Sequence, residues 1–222
     1  MKFTCVIFDL DGTLVDTLDD IAHSMNRALQ ACGFPPVSRD VYLSKVGWGI
    51  KRLASLALPP DAGKNEKTVE TVAARAVKFY AEDPLIYSKP YPGIQELLAE
   101  LRRRRVKTAV LTNKPDPVAQ LVIKDIFPPH SFDAVQGDRP GQPRKPDPTA
   151  LWDILMELGR TPRDAIFAGD SEIDIETAKA AECHALGVSW GFRTRDVLEK
   201  AGAQRIIDAP SELLTLIQDT RM

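Results

Sequence analysis

Short apolar runs rich in β-branched and aromatic residues alternate along most of this chain with segments of helical period. Residues 3–8 (Phe-Thr-Cys-Val-Ile-Phe) form a nearly continuous apolar run, as expected of a strand buried on both faces. Further strands are expected at 106–111, 134–136, 165–168, 185–188 and 205–207, and helices at 93–105, 117–126, 149–158, 175–181 and 196–201. Strand followed by helix, repeated, predicts an α/β fold: a Rossmann-like parallel sheet core with right-handed crossovers and helices on both faces. In such sheets chemistry collects beyond the carboxyl ends of the strands.

One stretch breaks this rhythm. From about residue 17 to 89 only helical patterns occur, at 18–31, 39–43, 50–58 and 66–80, punctuated by Phe34-Pro35-Pro36, Leu58-Pro59-Pro60-Asp61 and, just beyond, Pro90-Tyr91-Pro92-Gly93. The pattern predicts an inserted α-helical subdomain at 17–89, a core made of 1–16 and 90–222, and linkers near 15–17 and 85–92.

Composition narrows the classes of function. The chain has 222 residues, 44% apolar and 27% charged, which is ordinary for a folded protein. Lys plus Arg total 29 against 31 Asp plus Glu, a net charge of −2, so a broadly basic nucleic-acid binder is excluded. Any anionic ligand must be held by a local cluster or a metal. No apolar run approaches the roughly 18–20 residues needed to span a bilayer, and the opening apolar stretch is too short for a signal peptide. A cytoplasmic chain without membrane or nucleic-acid partners, monomeric or homodimeric, is the expectation. Cys5, Cys32 and Cys183 are odd in number and widely spaced, pointing to free buried thiols. The isolated His23, His130 and His184 read as structural or exposed. The run Arg102-Arg103-Arg104-Arg105 closes a predicted helix, where cations meet the negative end of the dipole. The loop from Gly137 to Arg144 reads as a carrier for Lys145.

The chemistry lies in four segments. In Phe8-Asp9-Leu10-Asp11-Gly12-Thr13, Asp9 and Asp11 sit two apart at the end of an extended run and project to one side. Two such carboxylates require a cation or a shared proton. Leu111-Thr112-Asn113-Lys114-Pro115 ends a second strand, Arg144-Lys145-Pro146-Asp147 precedes a helix, and Ala168-Gly169-Asp170-Ser171-Glu172-Ile173-Asp174 ends another strand with two more carboxylates. Converging on one rim, four carboxylates, an ammonium, a hydroxyl and an amide suit a magnesium ion and a phosphate.

At these residues the chain resembles the haloacid dehalogenase superfamily: Asp9 to Thr13 resemble its first motif, Thr112 its second, Lys145 its third and Gly169 to Asp174 its fourth. The resemblance covers essentially the whole chain and makes the helical insertion a C1-type cap. It implies Asp9 as nucleophile and Asp11 as general acid and then base. It implies phosphate binding by Thr112 and the backbone after it, with Asn113 adjacent, and neutralisation by Lys145. Mg2+ would be held by Asp9, the backbone carbonyl of Asp11, Asp170 and Asp174. Dehalogenases of the superfamily lack the second aspartate, so Asp11 points to phosphoryl transfer.

Substrate choice is assigned to the cap. Ser44-Lys45-Val46-Gly47-Trp48-Gly49-Ile50-Lys51-Arg52 resembles the specificity loop of phosphoglycolate phosphatases, with Trp48, Gly49 and Arg52 over the site and Arg52 placed to read a carboxylate. The resemblance thus implies a small phosphorylated metabolite, 2-phosphoglycolate, hydrolysed to glycolate and phosphate. A β-phosphoglucomutase-like sugar-phosphate mutase, a pyrophosphatase, a phosphonate hydrolase using Lys45 or Lys51, and a non-catalytic binding protein on the same fold stay open.

Overall fold

The computed structural model describes residues 3–218. In chain order its strands are β1 (Cys5–Phe8), β2 (Val15–Asp16), β3 (Lys89–Pro90), β4 (Lys107–Pro115), β5 (Ala134–Asp138), β6 (Ala165–Gly169), β7 (His184–Val188) and β8 (Arg205–Ile207). Its α-helices are α1 (Leu18–Ala31), α2 (Arg39–Leu43), α3 (Ile50–Ala57), α4 (Glu66–Glu82), α5 (Ile94–Arg103), α6 (Asp116–Ile126), α7 (Thr149–Glu157), α8 (Glu172–Ala180) and α9 (Arg195–Ala201).

Six strands form one sheet in the order β5-β4-β1-β6-β7-β8, and every neighbouring pair is parallel. The continuous apolar run of β1 follows from its central position, with β4 on one side and β6 on the other. Its alternate residues enter two separate apolar clusters. Val6 and Phe8 pack with Leu97, Leu101, Val118 and Val122 from α5 and α6, whereas Cys5 and Ile7 pack with Leu151, Ile154, Ile175 and Ala178 from α7 and α8. The expected α/β core with helices on both faces is the fold observed.

Helices α1 to α4 fall between β2 and β3 in the chain. These two strands, absent from the reading of the sequence, pair antiparallel with Val15 opposite Pro90 and Asp16 opposite Lys89. At two residues each they are too short for any periodicity to register. The buried carboxylate of Asp20 in α1 accepts from the Tyr87 N–H (3.1 Å), the Ser88 N–H (2.8 Å) and the Ser88 hydroxyl (2.5 Å), which fastens the returning chain beside the outgoing one.

Two further elements differ from expectation in ways that bear on the site. Strand β4 continues past Leu111 through Thr112, Asn113 and Lys114, polar residues that are nonetheless buried. Helix α8 begins at Glu172, because Ser171 caps it and Asp174 supplies the reciprocal carboxylate. Arg103 and Arg104 both engage Glu100, so the arginine run does close a helix. Cys5 and Cys183 are buried free thiols and Cys32 is half-buried. Among the described residues no helix is long and apolar enough to cross a membrane.

Candidate active site

The carboxyl ends of β1, β4 and β6 meet at one rim. Asp9 follows β1 directly, its N–H donating to the Ala168 carbonyl at 2.9 Å. The chain then turns at Gly12, whose φ of +87° favours glycine. A side chain there would also collide with the Asp170 carboxylate.

Carboxylate oxygens of Asp9, Asp170 and Asp174, all buried, lie within 4.8 Å of one another. The Lys145 ammonium donates to Asp9 Oδ1 and Asp174 Oδ1, each at 2.7 Å. Burial pushes the Asp9 carboxyl up to about 7; Lys145 opposes this and repulsion from Asp174 adds to it. Burial, with repulsion from Asp174 and Asp9, also raises Asp170. Burial alone would lower the Lys145 ammonium, but its two carboxylate partners hold it above its ordinary value. Three buried carboxylates against one ammonium leave negative charge that the interior screens poorly. Their hard oxygen atoms fit a divalent cation, which can take the place of protons in this cluster.

Each member is held by local structure. Asp170 Oδ1 accepts from the Thr13 hydroxyl at 3.0 Å and Oδ2 from the Phe192 N–H at 2.7 Å. Asp174 Oδ2 accepts from the Ser171 N–H at 3.0 Å and its hydroxyl at 2.6 Å, which leaves Oδ1 for Lys145. The Asn113 amide clamps the backbone of Lys145, accepting from its N–H and donating to its carbonyl, both at 3.0 Å. The same Asn113 Nδ2 also donates to the Gly47 carbonyl at 2.9 Å. The Asn113 side chain therefore places other groups, and is engaged by protein at both ends.

Asp11 faces elsewhere. Its Oδ1 accepts from the Thr17 hydroxyl at 2.6 Å and from Lys114 Nζ at 2.9 Å. Burial opposes the Lys114 charge, but Asp11, with Tyr80 adding to it, outweighs burial and the ammonium is raised above its usual value. Lys114 also lies 4.2 Å from the centroid of the Tyr80 ring. The Lys114 N–H donates to Thr112 Oγ1 at 3.1 Å, so the proton of that hydroxyl is directed elsewhere. Lys114 is not among the candidate residues of the sequence. The available signal was its spacing of two from Thr112 at a strand end, which sets both on one side.

A cavity opens from this rim, lined by Asp9, Asp11, Thr112, Lys114, Lys145 and Asp170 on the sheet side. Its opposite wall draws Ile21 and Ser24 from α1, Ile50 and Leu53 from α3, and Val77 and Tyr80 from α4. Of the three residues assigned to specificity in this region, Gly49 lines the cavity, whereas Trp48 (42% exposed) and Arg52 do not. The helix explains this. Ile50, Leu53, Ala54 and Ala57 share the inward face of α3, and Arg52 falls on the exposed side. The cation at this edge is Arg193, from the loop after β7. It donates to the Leu43 and Val46 carbonyls at 2.7 Å each and to Glu172 at 3.2 Å, tying the loop before Gly47 to the core. Lys45 and Lys51 are engaged with the Leu56 carbonyl and with Glu70, both at 2.7 Å.

The model of haloacid dehalogenase-like hydrolases matches residues 6–188. The chain belongs to this family. Among curated relatives, the phosphoglycolate phosphatase of Haemophilus influenzae (strain 86-028NP) is 32% identical over 221 residues, covering 97% of this chain and 99% of the relative. The phosphoglycolate phosphatase of Rhodospirillum rubrum is 34% identical over 209 residues, covering 91% and 86%. A crystal structure described as a predicted phosphoglycolate phosphatase from Haemophilus somnus 129pt superposes with a TM-score of 0.89 at 28% identity, covering 98% of this chain and 99% of that one. This haloacid dehalogenase-like hydrolase is a phosphatase, a phosphoric monoester hydrolase, and the four segments singled out in its sequence meet at the rim described above.

Proposed function

We propose that this phosphatase hydrolyses a small phosphorylated acid, 2-phosphoglycolate above others, with Mg2+ as cofactor and Asp9 as the carrier of the phosphoryl group. The observation that carries this reading is the division of labour between two aspartates two residues apart. Asp9 is set among Lys145, Asp170 and Asp174, while Asp11 is turned toward Thr17 and Lys114.

In the first step an Asp9 oxygen attacks phosphorus, the ester P–O bond breaks, and the leaving oxygen takes the proton of Asp11. In the second, Asp11 takes a proton from water as the water oxygen attacks phosphorus. The Asp9–phosphorus bond breaks, inorganic phosphate leaves, and both residues return to their starting forms. Lys145 neutralises Asp9 as the anionic substrate approaches, and Thr112 offers its hydroxyl proton to a phosphate oxygen. Asp9, the Asp11 backbone carbonyl, Asp170 and Asp174 would hold Mg2+, which supplies charge neutralisation between nucleophile and phosphate. We further propose that residues 17–89 act as a cap over the core of 1–16 and 90–222, hinged at the β2–β3 ribbon. Its apolar wall keeps bulk water from the phosphorylated Asp9. On this reading the cap contributes to specificity through Gly49 and its neighbours in the wall, not through Trp48 or Arg52. The names of the relatives support the choice of substrate.

Phosphate release across a panel of esters, with and without Mg2+, tests the proposal. The expected result is the highest kcat/KM for 2-phosphoglycolate and loss of turnover on chelation. Formation of glucose 6-phosphate from β-glucose 1-phosphate without matching phosphate release would overturn it in favour of a mutase.

A further inference from the structure

Tyr80 lines the cavity, and its hydroxyl is buried without a hydrogen-bond partner. Lys114 and Ser88 are polar neighbours, but neither meets it in hydrogen-bond geometry. Buried polar groups are paired as a rule, so a hydroxyl left over in a cavity wall marks a place for a ligand atom. Beside it stands the Lys114 ammonium, its side chain 4% exposed. Its bond to Asp11 accounts for one of the three protons on the ammonium.

We infer that Lys114 and Tyr80 form the subsite for a carboxylate on the leaving group, so that the enzyme selects phosphorylated α-hydroxy acids. The inference rests on the reading of Asp11 as the acid that protonates the leaving oxygen. That oxygen must touch Asp11, and Lys114 is 2.9 Å from Asp11 Oδ1. In a phosphorylated α-hydroxy acid the carboxylate is one carbon from the ester oxygen, which brings it to the ammonium beside Asp11. The Tyr80 hydroxyl then donates to the same carboxylate.

The other cations of the cavity are engaged elsewhere: Lys145 with Asp9 and Asp174, Arg193 with two carbonyls and Glu172. The remaining helical wall suits a short leaving group with little polar surface. Ile21, Ile50, Leu53 and Val77 are apolar, and the Ser24 hydroxyl already donates to the Ile21 carbonyl at 3.1 Å. A sugar leaving group would bury hydroxyls there with few partners.

Binding to an inert background separates this inference from the catalytic one. Calorimetry with 2-phosphoglycolate and with ethyl phosphate is compared in Asp9→Asn, Asp9→Asn/Tyr80→Phe and Asp9→Asn/Lys114→Met. The Asp9→Asn protein should bind the acid about tenfold or more tightly than ethyl phosphate, the scale of a charge-assisted hydrogen bond. Tyr80→Phe should cut that ratio several-fold and Lys114→Met should abolish it. Tyr80→Phe conserves shape, so it remains informative even where Lys114→Met perturbs folding. No preference in Asp9→Asn, or a preference that survives Tyr80→Phe undiminished, overturns the subsite. So does weakening of both ligands to the same extent by Lys114→Met, which assigns Lys114 to Asp11 alone. Absence of phosphate release from every ester by the unsubstituted enzyme would overturn the phosphatase mechanism instead, and the binding ratios would still decide the subsite.

Discussion

Across one cavity, the rim from β1, β4 and β6 brings together Asp9, Asp11, Asp170, Lys114 and Lys145, while the facing wall from α1, α3 and α4 is apolar except for Ser24 and Tyr80. On the rim every charge is fixed by a partner: Asn113 clamps Lys145, the α8 cap seats Asp174, and Thr13 and Phe192 hold Asp170. On the wall shape dominates, and the backbone carbonyls at 43, 46 and 47, held by Arg193 and Asn113, tie the adjoining loop to the core. A fixed electrostatic rim suits the shared chemistry of phosphoryl transfer, and a mostly apolar wall suits selection among leaving groups.

Substitutions on the two sides should therefore differ in kind. Asp9→Asn should reduce phosphate release on the order of 10⁴-fold or more, while circular dichroism and thermal unfolding stay those of a folded protein, since one of three mutually repelling carboxylates is neutralised. Asp11→Asn should slow turnover by roughly 10²- to 10⁴-fold, measured as kcat with 2-phosphoglycolate; an unaltered kcat would remove its acid–base role. Metal removal probes the rim without mutation. Asp9 is raised to about 7, so between the ordinary carboxylate range and about 7 the folded protein binds more protons than the unfolded chain. The metal-free protein should accordingly lose stability as pH rises through that window. Added Mg2+ should raise Tm more at pH 8 than at pH 5 in scanning calorimetry, and an equal rise at both would separate the metal from these carboxylates.

On the wall the effects should be smaller and fall on KM. Arg193→Ala frees the carbonyls of Leu43 and Val46 and should raise KM about tenfold, with Arg193→Lys in between, as steady-state kinetics would show. Smallest of all, Arg52→Ala and Trp48→Phe should change kcat/KM by no more than about twofold. A tenfold loss with either would place that side chain over the substrate after all.

This contrast also explains what could be read from the chain alone. The shared location of Asp9, Thr112 and Asp170 was legible because parallel strands end at a common edge, while Lys145 was legible from its place just before a helix. The sheet itself was legible from the alternation of apolar strands with helical segments. Lys114 was hidden because a lysine after a strand reads as solvated, and its burial depends on Asp11 and Tyr80, distant in sequence. Arg52 is the opposite case: its motif is local, but its place on the exposed side of α3 is set by the packing of Ile50 and Leu53. Arg193 lies outside the segments that carry the sequence motifs, and two of its three partners are main-chain carbonyls, which leave no trace in side-chain pattern.

The most direct test is to quench the enzyme with acid during turnover of 2-phosphoglycolate, reduce it with borohydride, and map the product by peptide mass spectrometry. A phosphoryl group carried on a carboxylate is reduced to an alcohol, so the proposed mechanism predicts homoserine at position 9 alone. Reduction at Asp11, Asp170 or Asp174 instead, or none anywhere in enzyme shown to be turning over, would contradict it.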